Sequence, residues 1–342
     1  MSSETREWLS NNTLIGFTSK RGNAWHHRAG DDNTYPLAIP TQDVHKRLFG
    51  WTAEERPLYV GGGWDLYRAN PEMYAEIPGR KAIVRSDSGH VLGIFKEGYQ
   101  PHQYGEWLVT NVEAILDDTL QIGSAGLLKG GAVAWVSVEM PETLETPQGV
   151  PYRPSLMART SFDGSMATTY GCHITNVVCD NTMFVAAQEH GGRQVRVRHS
   201  SKSLTQIQSV RDALSIVHTM AADFEAEVSS LMDVKVSDVV WERIVKEFTP
   251  IPDDPQTRGE RTAVTRGEAK RDALMNLWRH DSRVAPWAGT AFGAWQAFNT
   301  YGQHDGIVRG MSRQERNMLN AINGTIETAD HETVARILEL TA

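Results

Sequence analysis

Cysteine is nearly absent: Cys172 and Cys179 are the only two in 342 residues. No disulfide framework can hold such a chain, and a reducing compartment suits it. Long apolar runs are missing too. The longest, Gly130 to Val138, falls well short of the roughly 18–20 residues that span a bilayer and reads as a β-strand. The opening residues MSSETREWLSNNTLIGFTSK show no apolar segment behind a positive start, so no secretory leader is read and a cytoplasmic location is expected. Cations are outnumbered, 34 Lys and Arg against 42 Asp and Glu, for a net charge of −8. That balance argues against indiscriminate binding to polyanions but leaves room for a local basic site.

Signatures of catalysis are missing as well. Gly61-Gly62-Gly63-Trp64 has no Lys-Ser/Thr after it and no apolar strand before it, so it is no phosphate-binding loop. The glycines between Gly123 and Gly131 open a strand, which offers phosphate no helix dipole. There is no nucleophile elbow and no HExxH, and no carboxylates pair at a readable spacing. Cys172-His173 with Cys179 does not make a zinc site, because structural zinc wants four ligands with cysteines closer together. His26-His27 and Asp31-Asp32, with His45 downstream, read as polar surface. No catalytic residue, metal or cofactor is assigned.

What is present is hairpin grammar. Lys81 to Arg85 and Val91 to Phe95 flank the turn Ser86-Asp87-Ser88-Gly89, whose Asp and Gly tolerate turn backbone. Leu127-Leu128 and Ala132 to Val138 flank Lys129-Gly130-Gly131. Leu156 to Thr160 and Met166 to Ile174 flank Asp163-Gly164. Gln194 to Arg198 alternates polar and apolar, the period of a half-buried strand. Helices are expected over Thr41 to Phe49 (capped by Thr41, stopped by Gly50), over Tyr104 to Leu116, and within Asn176 to Glu189, which begins as a turn. From Leu204 to Leu231 apolar residues recur every three or four positions. Ser237 caps a helix to Phe248, which Pro250 ends. Thr265 with Glu268 and Ser312 with Glu315 have capping-box spacing, so each is expected to open a helix.

Hairpins without β-α-β alternation imply an α+β fold, an antiparallel sheet of hairpins and a meander with segregated helices and a mostly helical C-terminal third. The expected division is an arm over 1–79 packed on the core, an α+β core over 80–249 and a helical region over 260–342.

The candidate site is basic. Between Gly191 and Arg211 stand Arg193, Arg196, Arg198, Lys202 and Arg211, with His199 and no acid. On a strand Arg196 and Arg198 share one face while Val195 and Val197 take the other. Neighbouring guanidiniums repel unless an anion lies between them, and a phosphate backbone suits their planar forks. The plainer alternative is a solvated face neutralised by carboxylates of other elements. A second basic stretch, Arg258 to Arg283, is interspersed with acids and reads as a solvated helix face. Trp278, Trp287, Phe292, Trp295, Phe298 and Tyr301 could stack on bases, but at helical spacing they read as core.

The chain resembles the uncharacterised phage/plasmid-like protein family. The resemblance rests on Val84-Arg85-Ser86-Asp87-Ser88-Gly89, Val91-Leu92-Gly93, Tyr99 with Gln103, and Ala125-Gly126-Leu127 through Gly130 to Trp135. It continues with Val177-Val178-Cys179-Asp180-Asn181-Thr182, Val197-Arg198-His199-Ser200, and Gly289-Thr290-Ala291-Phe292-Gly293 through Asp305, covering roughly residues 80–320. It implies a gene of a phage or plasmid acting in a bacterial cytoplasm. The order of early elements is similar to that of single-strand annealing proteins of the RecT and Erf type. The leading expectation is a non-enzymatic protein that binds and anneals single-stranded DNA as a homo-oligomer, with Arg193, Arg196, Arg198, His199 and Lys202 on phosphates. The alternatives are an interaction protein that blocks or redirects a host defence factor, and a metal-dependent nuclease with dispersed ligands.

Overall fold

Glycine-bearing turns punctuate the first half of the chain, and antiparallel strands run between them. The computed structural model describes residues 3–21, 30–61, 74–114, 116, 120–140, 142–176, 181–183, 194–197, 199 and 217–342. For 3–6, 21, 172–176, 181–183, 194–197, 217–221, 314 and 315 it describes the backbone alone.

The chain opens with α1 (Ser3–Asn12), β1 (Thr13–Ile15), α2 (Thr18–Arg21) and α3 (Thr41–Leu48). Strands β2 (Ala53–Val60), β3 (Ala75–Arg85) and β4 (Val91–Lys96) form one antiparallel sheet in that order. A π-helical turn, Gly105–Thr110, runs into α4 (Asn111–Glu113). Then come β5 (Gln121–Leu128), β6 (Val133–Glu139), β7 (Leu144–Glu145), β8 (Pro151–Ser161), β9 (Thr168–Asn176), β10 (Asn181–Met183) and β11 (Gln194–Val197). With β1 they make a second sheet of order β1-β5-β6-β8-β9-β10, β7 lying beside β8 and β11 beside β9. Helices follow: α5 (Val217–Asp233), α6 (Asp238–Phe248), α7 (Arg258–His280), α8 (Ala291–Thr300), α9 (Arg313–Ile322) and α10 (Thr325–Thr341). The fold is α+β, with antiparallel sheets and helices gathered towards the C-terminal end.

The chain divides into two compact units, residues 1–141, 155–171 and 192–216 in one and 142–154, 172–191 and 217–342 in the other. These limits differ from those read in the sequence. Residues 1–79 join the first unit because β1 pairs with β5 and β2 with β3. In the second unit Trp241, Trp278, Phe292 and Trp295 share a core with Phe224 and Val228, so the aromatics at helical spacing are core.

Several local expectations shift. Thr41 is the first helical residue of α3, behind Pro40 as cap, and its hydroxyl donates to Glu113 instead. The segment after Tyr104 winds as a π-turn, which buries Trp107, Leu108 and Val109 in succession. Residues 181–183, expected within a turn and helix, form β10 as a hairpin partner of β9; residues 177–180 and 184–190 lie outside the described residues.

The clearest shift concerns a repeated tetrapeptide. Thr-Arg-Gly-Glu occurs at 257–260 and again at 265–268. The first copy caps α7: Thr257 accepts from the Glu260 amide at 3.1 Å and Glu260 accepts from the Thr257 amide at 2.7 Å. Thr265 lies inside the helix, with its hydroxyl on the Arg261 carbonyl. Both copies carry the local signal, but only the first follows a Pro-rich stretch that cannot be helical. Thr257→Ala is therefore expected to lower stability by roughly 0.5–2 kcal/mol in denaturant unfolding, while Thr265→Ala stays within about 0.5 kcal/mol of the parent.

Candidate nucleic-acid interface and the buried histidine pair

β11 pairs with β9 and carries the middle of the basic stretch. Its register sets Val195 opposite Tyr170, Arg196 opposite Thr169 and Val197 opposite Thr168 in an unbroken antiparallel ladder. Arg193, Arg198, Lys202 and Arg211 lie outside the described residues, and of Arg196 the backbone alone is described.

His199 is described, and it does not face open solvent. Its ring lies between Tyr99, at 5.0 Å between centroids, and His102, at 4.0 Å, nearly parallel to both. His102 in turn stacks on Trp107 at 3.8 Å, and Tyr99 on Phe95 at 3.8 Å. Five rings, from β4, the loop after it, the π-turn and the residue beyond β11, thus form one column. Two fully buried threonines brace it. His199 Nε2 meets Thr160 Oγ1 at 3.0 Å, Thr160 meets Thr168 at 2.7 Å, and Thr168 meets His102 Nδ1 at 2.6 Å.

Burial sets the charge of this pair. His102 is 1% exposed. Its pKa is pushed down to about 3, chiefly by burial and then by the neighbouring His199. Burial pushes His199 down to about 4. Both rings are neutral near pH 7, so His199 brings no cation to a phosphate, and the contact set expected from the sequence loses that member. Neither threonine hydroxyl reaches solvent, so the chain of hydrogen bonds reads as a strut rather than a nucleophile and its base. His102 Nε2 is buried with no hydrogen-bond partner among the described residues, which adds an unpaired-polar cost, whereas His199 has a hydrogen bond with the Gln100 backbone.

Most described cations of this unit are committed. Arg56 pairs with Glu54 at 2.6 Å, Lys81 with Glu55 at 2.7 Å, Arg85 with Asp87 at 2.7 Å and Lys129 with Asp163 at 3.0 Å. Arg80 and Lys96 differ. They stand directly opposite each other on β3 and β4, both exposed and neither meeting a carboxylate among the described residues. Like charges in directly opposed positions destabilise a sheet unless an anion neutralises them. Sequence reasoning missed this pair because sixteen positions separate its members; only the hairpin register brings them together. In the other basic stretch Arg271 donates to the Thr249 carbonyl and Arg283 grips Asp281 with two hydrogen bonds. These cations serve the fold.

A family model described as a domain of unknown function, DUF932, matches residues 91–323. The chain belongs to this family. No curated protein and no solved structure matches it.

Within the DUF932 region and just ahead of it, the motifs that carried the resemblance turn out to hold turns and ring contacts. Arg85 forks onto Asp87 at 3.0 and 2.7 Å, donates to the Gly130 carbonyl and lies over Trp51 at 4.1 Å. Gly126 stands opposite Trp135, and a Cβ there would come within 2.2 Å of the indole. Gln103 both accepts from and donates to the Ala53 backbone. Thr290 caps α8 by accepting from the Gly293 amide. Cys179 and Asp180 lie outside the described residues, as do the side chains of Cys172 and His173 and all of His26 and His27. Among the described residues no three His, Cys, Asp or Glu come together as metal ligands.

The depressed histidines make a pH prediction. In the folded state these rings bind fewer protons than in the unfolded chain, whose imidazoles titrate near 6.5. Their contribution is therefore full above about pH 6.5 and is lost as pH falls towards 4 and then 3. His199→Gln is expected to lower stability at pH 7 and to flatten its decline between pH 6.5 and 4. Thermal melts of both proteins across that range test this; equal slopes would refute it.

Proposed function

We propose that the protein binds single-stranded DNA without catalysing a reaction on it, acting as an annealing factor in phage or plasmid replication and recombination. The observation that carries this reading is the stretch from Gly191 to Arg211, with five Lys and Arg and no acid in a chain of net charge −8. Its centre lies on β11, a strand that among the described residues pairs with β9 alone. The unneutralised Arg80 and Lys96 on the same unit support the reading, since both would gain from a polyanion. The contact set is Arg193, Arg196, Arg198 and Lys202, without His199. The likeness in element order to RecT and Erf proteins adds the expectation of rings or filaments.

Fluorescence anisotropy with a labelled single-stranded oligonucleotide tests it. Binding is expected at low salt and should weaken steeply as salt rises. Arg196→Ala with Arg198→Ala should reduce affinity and lower the slope of log K against log salt by about 1.4, close to 0.7 per phosphate contact. No binding at low salt, or an unchanged slope in the double variant, would overturn the assignment.

A second reading, an interaction protein that blocks a host factor, is favoured by one observation. The outer ends of β2 and β3 expose Tyr59 (54%), Val60 (60%) and Ile77 (37%). A single stoichiometric protein partner, together with no DNA affinity at moderate salt, would select that reading.

A further inference from the structure

In the second unit, α8 continues into a π-turn, Tyr301–Asp305, and this segment faces α9 and α10 across a cavity of about 180 Å³. The space exceeds the roughly 10–15 Å³ that one ordered water requires more than tenfold. Single-turn π segments interrupt regular helices most often at functional sites, because the extra residue re-aims its neighbours. Here it brings Gly302 and Gln303 to the cavity wall.

The wall is polar and organised. Asp330, 3% exposed, accepts from Trp295 Nε1 at 2.9 Å and from Asn299 Nδ2 at 3.0 Å. Asn299 accepts from Gln303 Nε2 at 2.8 Å, and Asn317 donates to the Gln303 carbonyl at 2.8 Å. These amides are held in place by one another. Asn320 and Thr333, which also line the cavity, make no side-chain hydrogen bond among the described residues.

The charge balance points to what is missing. Arg316 lines the cavity, donating to the Gly302 carbonyl and to Asn317 Oδ1, yet its Nε is buried without a partner among the described residues. Arg313, one turn earlier on α9, likewise has a buried Nη1 without a partner among them. Neither guanidinium meets a carboxylate among the described residues. Burial and the proximity of Arg313 both press the Arg316 pKa downwards, so each cation worsens the position of the other. Arg316, which lines the cavity with an unused donor, offers an oxyanion a charged hydrogen bond, and Arg313 adds positive charge beside it.

We propose that this cavity binds a small organic oxyanion, its phosphate or carboxylate group held by Arg316 and its polar body read by Asn320, Thr333 and the braced amides. The ligand is organic because Asp330 also lines the wall. A bare phosphate would meet that carboxylate together with Arg316, whereas an organic anion separates its charge from it. The proposal does not depend on DNA binding, since it concerns residues of the other unit.

Thermal unfolding of the full chain, with bound ligand read as a rise in midpoint, tests it. Glycerol 3-phosphate and O-phosphoserine form the phosphate arm, glutamate and succinate the carboxylate arm, and inorganic phosphate the bare ion. At millimolar concentration at least one organic arm is expected to raise the midpoint by about 3 °C or more, the scale that mass action gives for a ligand well above its Kd. Arg316→Gln and Asn320→Leu should each weaken that response at least tenfold in the concentration needed. The leucine variant leaves both arginines intact and keeps the test decisive if the glutamine variant does not fold. The proposal is overturned if neither arm shifts the midpoint, if the shift survives unchanged in a folded variant, or if inorganic phosphate does as well as the organic anions.

Discussion

Two neutral imidazoles, 4.0 Å apart and face to face, tie the basic strand to the rest of its unit. His199 lies two residues past the end of β11, so its ring fixes where that strand leaves the sheet. His102 sits ahead of the π-turn that supplies Trp107, and Thr160 and Thr168 belong to β8 and β9. The column therefore joins a loop, a helical turn and two strands through rings and hydroxyls. It holds only while both rings stay uncharged. Two positive charges about 4 Å apart repel by on the order of 4 kcal/mol at an effective dielectric of 20. Burial keeps that state out of reach near neutral pH, and the contacts that bury the rings are the stacking partners themselves.

This dependence explains why the sequence groups His199 with the basic face while the structure stacks its ring among aromatic partners. In the string Arg196-Val197-Arg198-His199 it follows two arginines and looks like a third positive residue. Alternation along a strand places side chains on one face or the other, but it stops where the strand stops, and β11 ends at Val197. Beyond that point the direction of a side chain is set by tertiary partners 31 to 100 positions away, Thr168, Thr160, His102 and Tyr99. No local period carries that information. The hairpins, by contrast, were legible because a turn and two flanking strands are contiguous and their chemistry is local. Arg80 opposite Lys96 marks the limit of that legibility, since a pair across a hairpin needs the register and the register shifts at a bulge near Ile83.

The repeated Thr-Arg-Gly-Glu shows the same principle in the helical half. Capping-box spacing at Thr265 with Glu268 pointed to a helix start there, but the same tetrapeptide stands at 257–260, and that copy opens the helix. What decided between them was the ability of the preceding chain to be helical, and the prolines at 252 and 255 deny it to the first copy's upstream side only. The π-turns after Tyr104 and Thr300 were beyond reach for a different reason. A π-turn costs hydrogen-bond geometry, and only the packing of buried residues such as Trp107 or Gln303 repays it.

The residues that carry the resemblance stated from the sequence bear on where chemistry is sought. Arg85, Asp87, Gly126, Trp135, Gln103 and Thr290 are each occupied by another part of the fold. A residue already satisfied by a bidentate carboxylate or a backbone amide has little left to offer a ligand. The groups with capacity to spare among the described residues are elsewhere: Arg80 and Lys96 on an open hairpin, Arg313 and Arg316 with buried unused donors, Asn320 with an unused amide. A donor buried with no partner among the described residues raises the energy of the fold that holds it. Such a group gains most from a ligand, so it is where function is best argued.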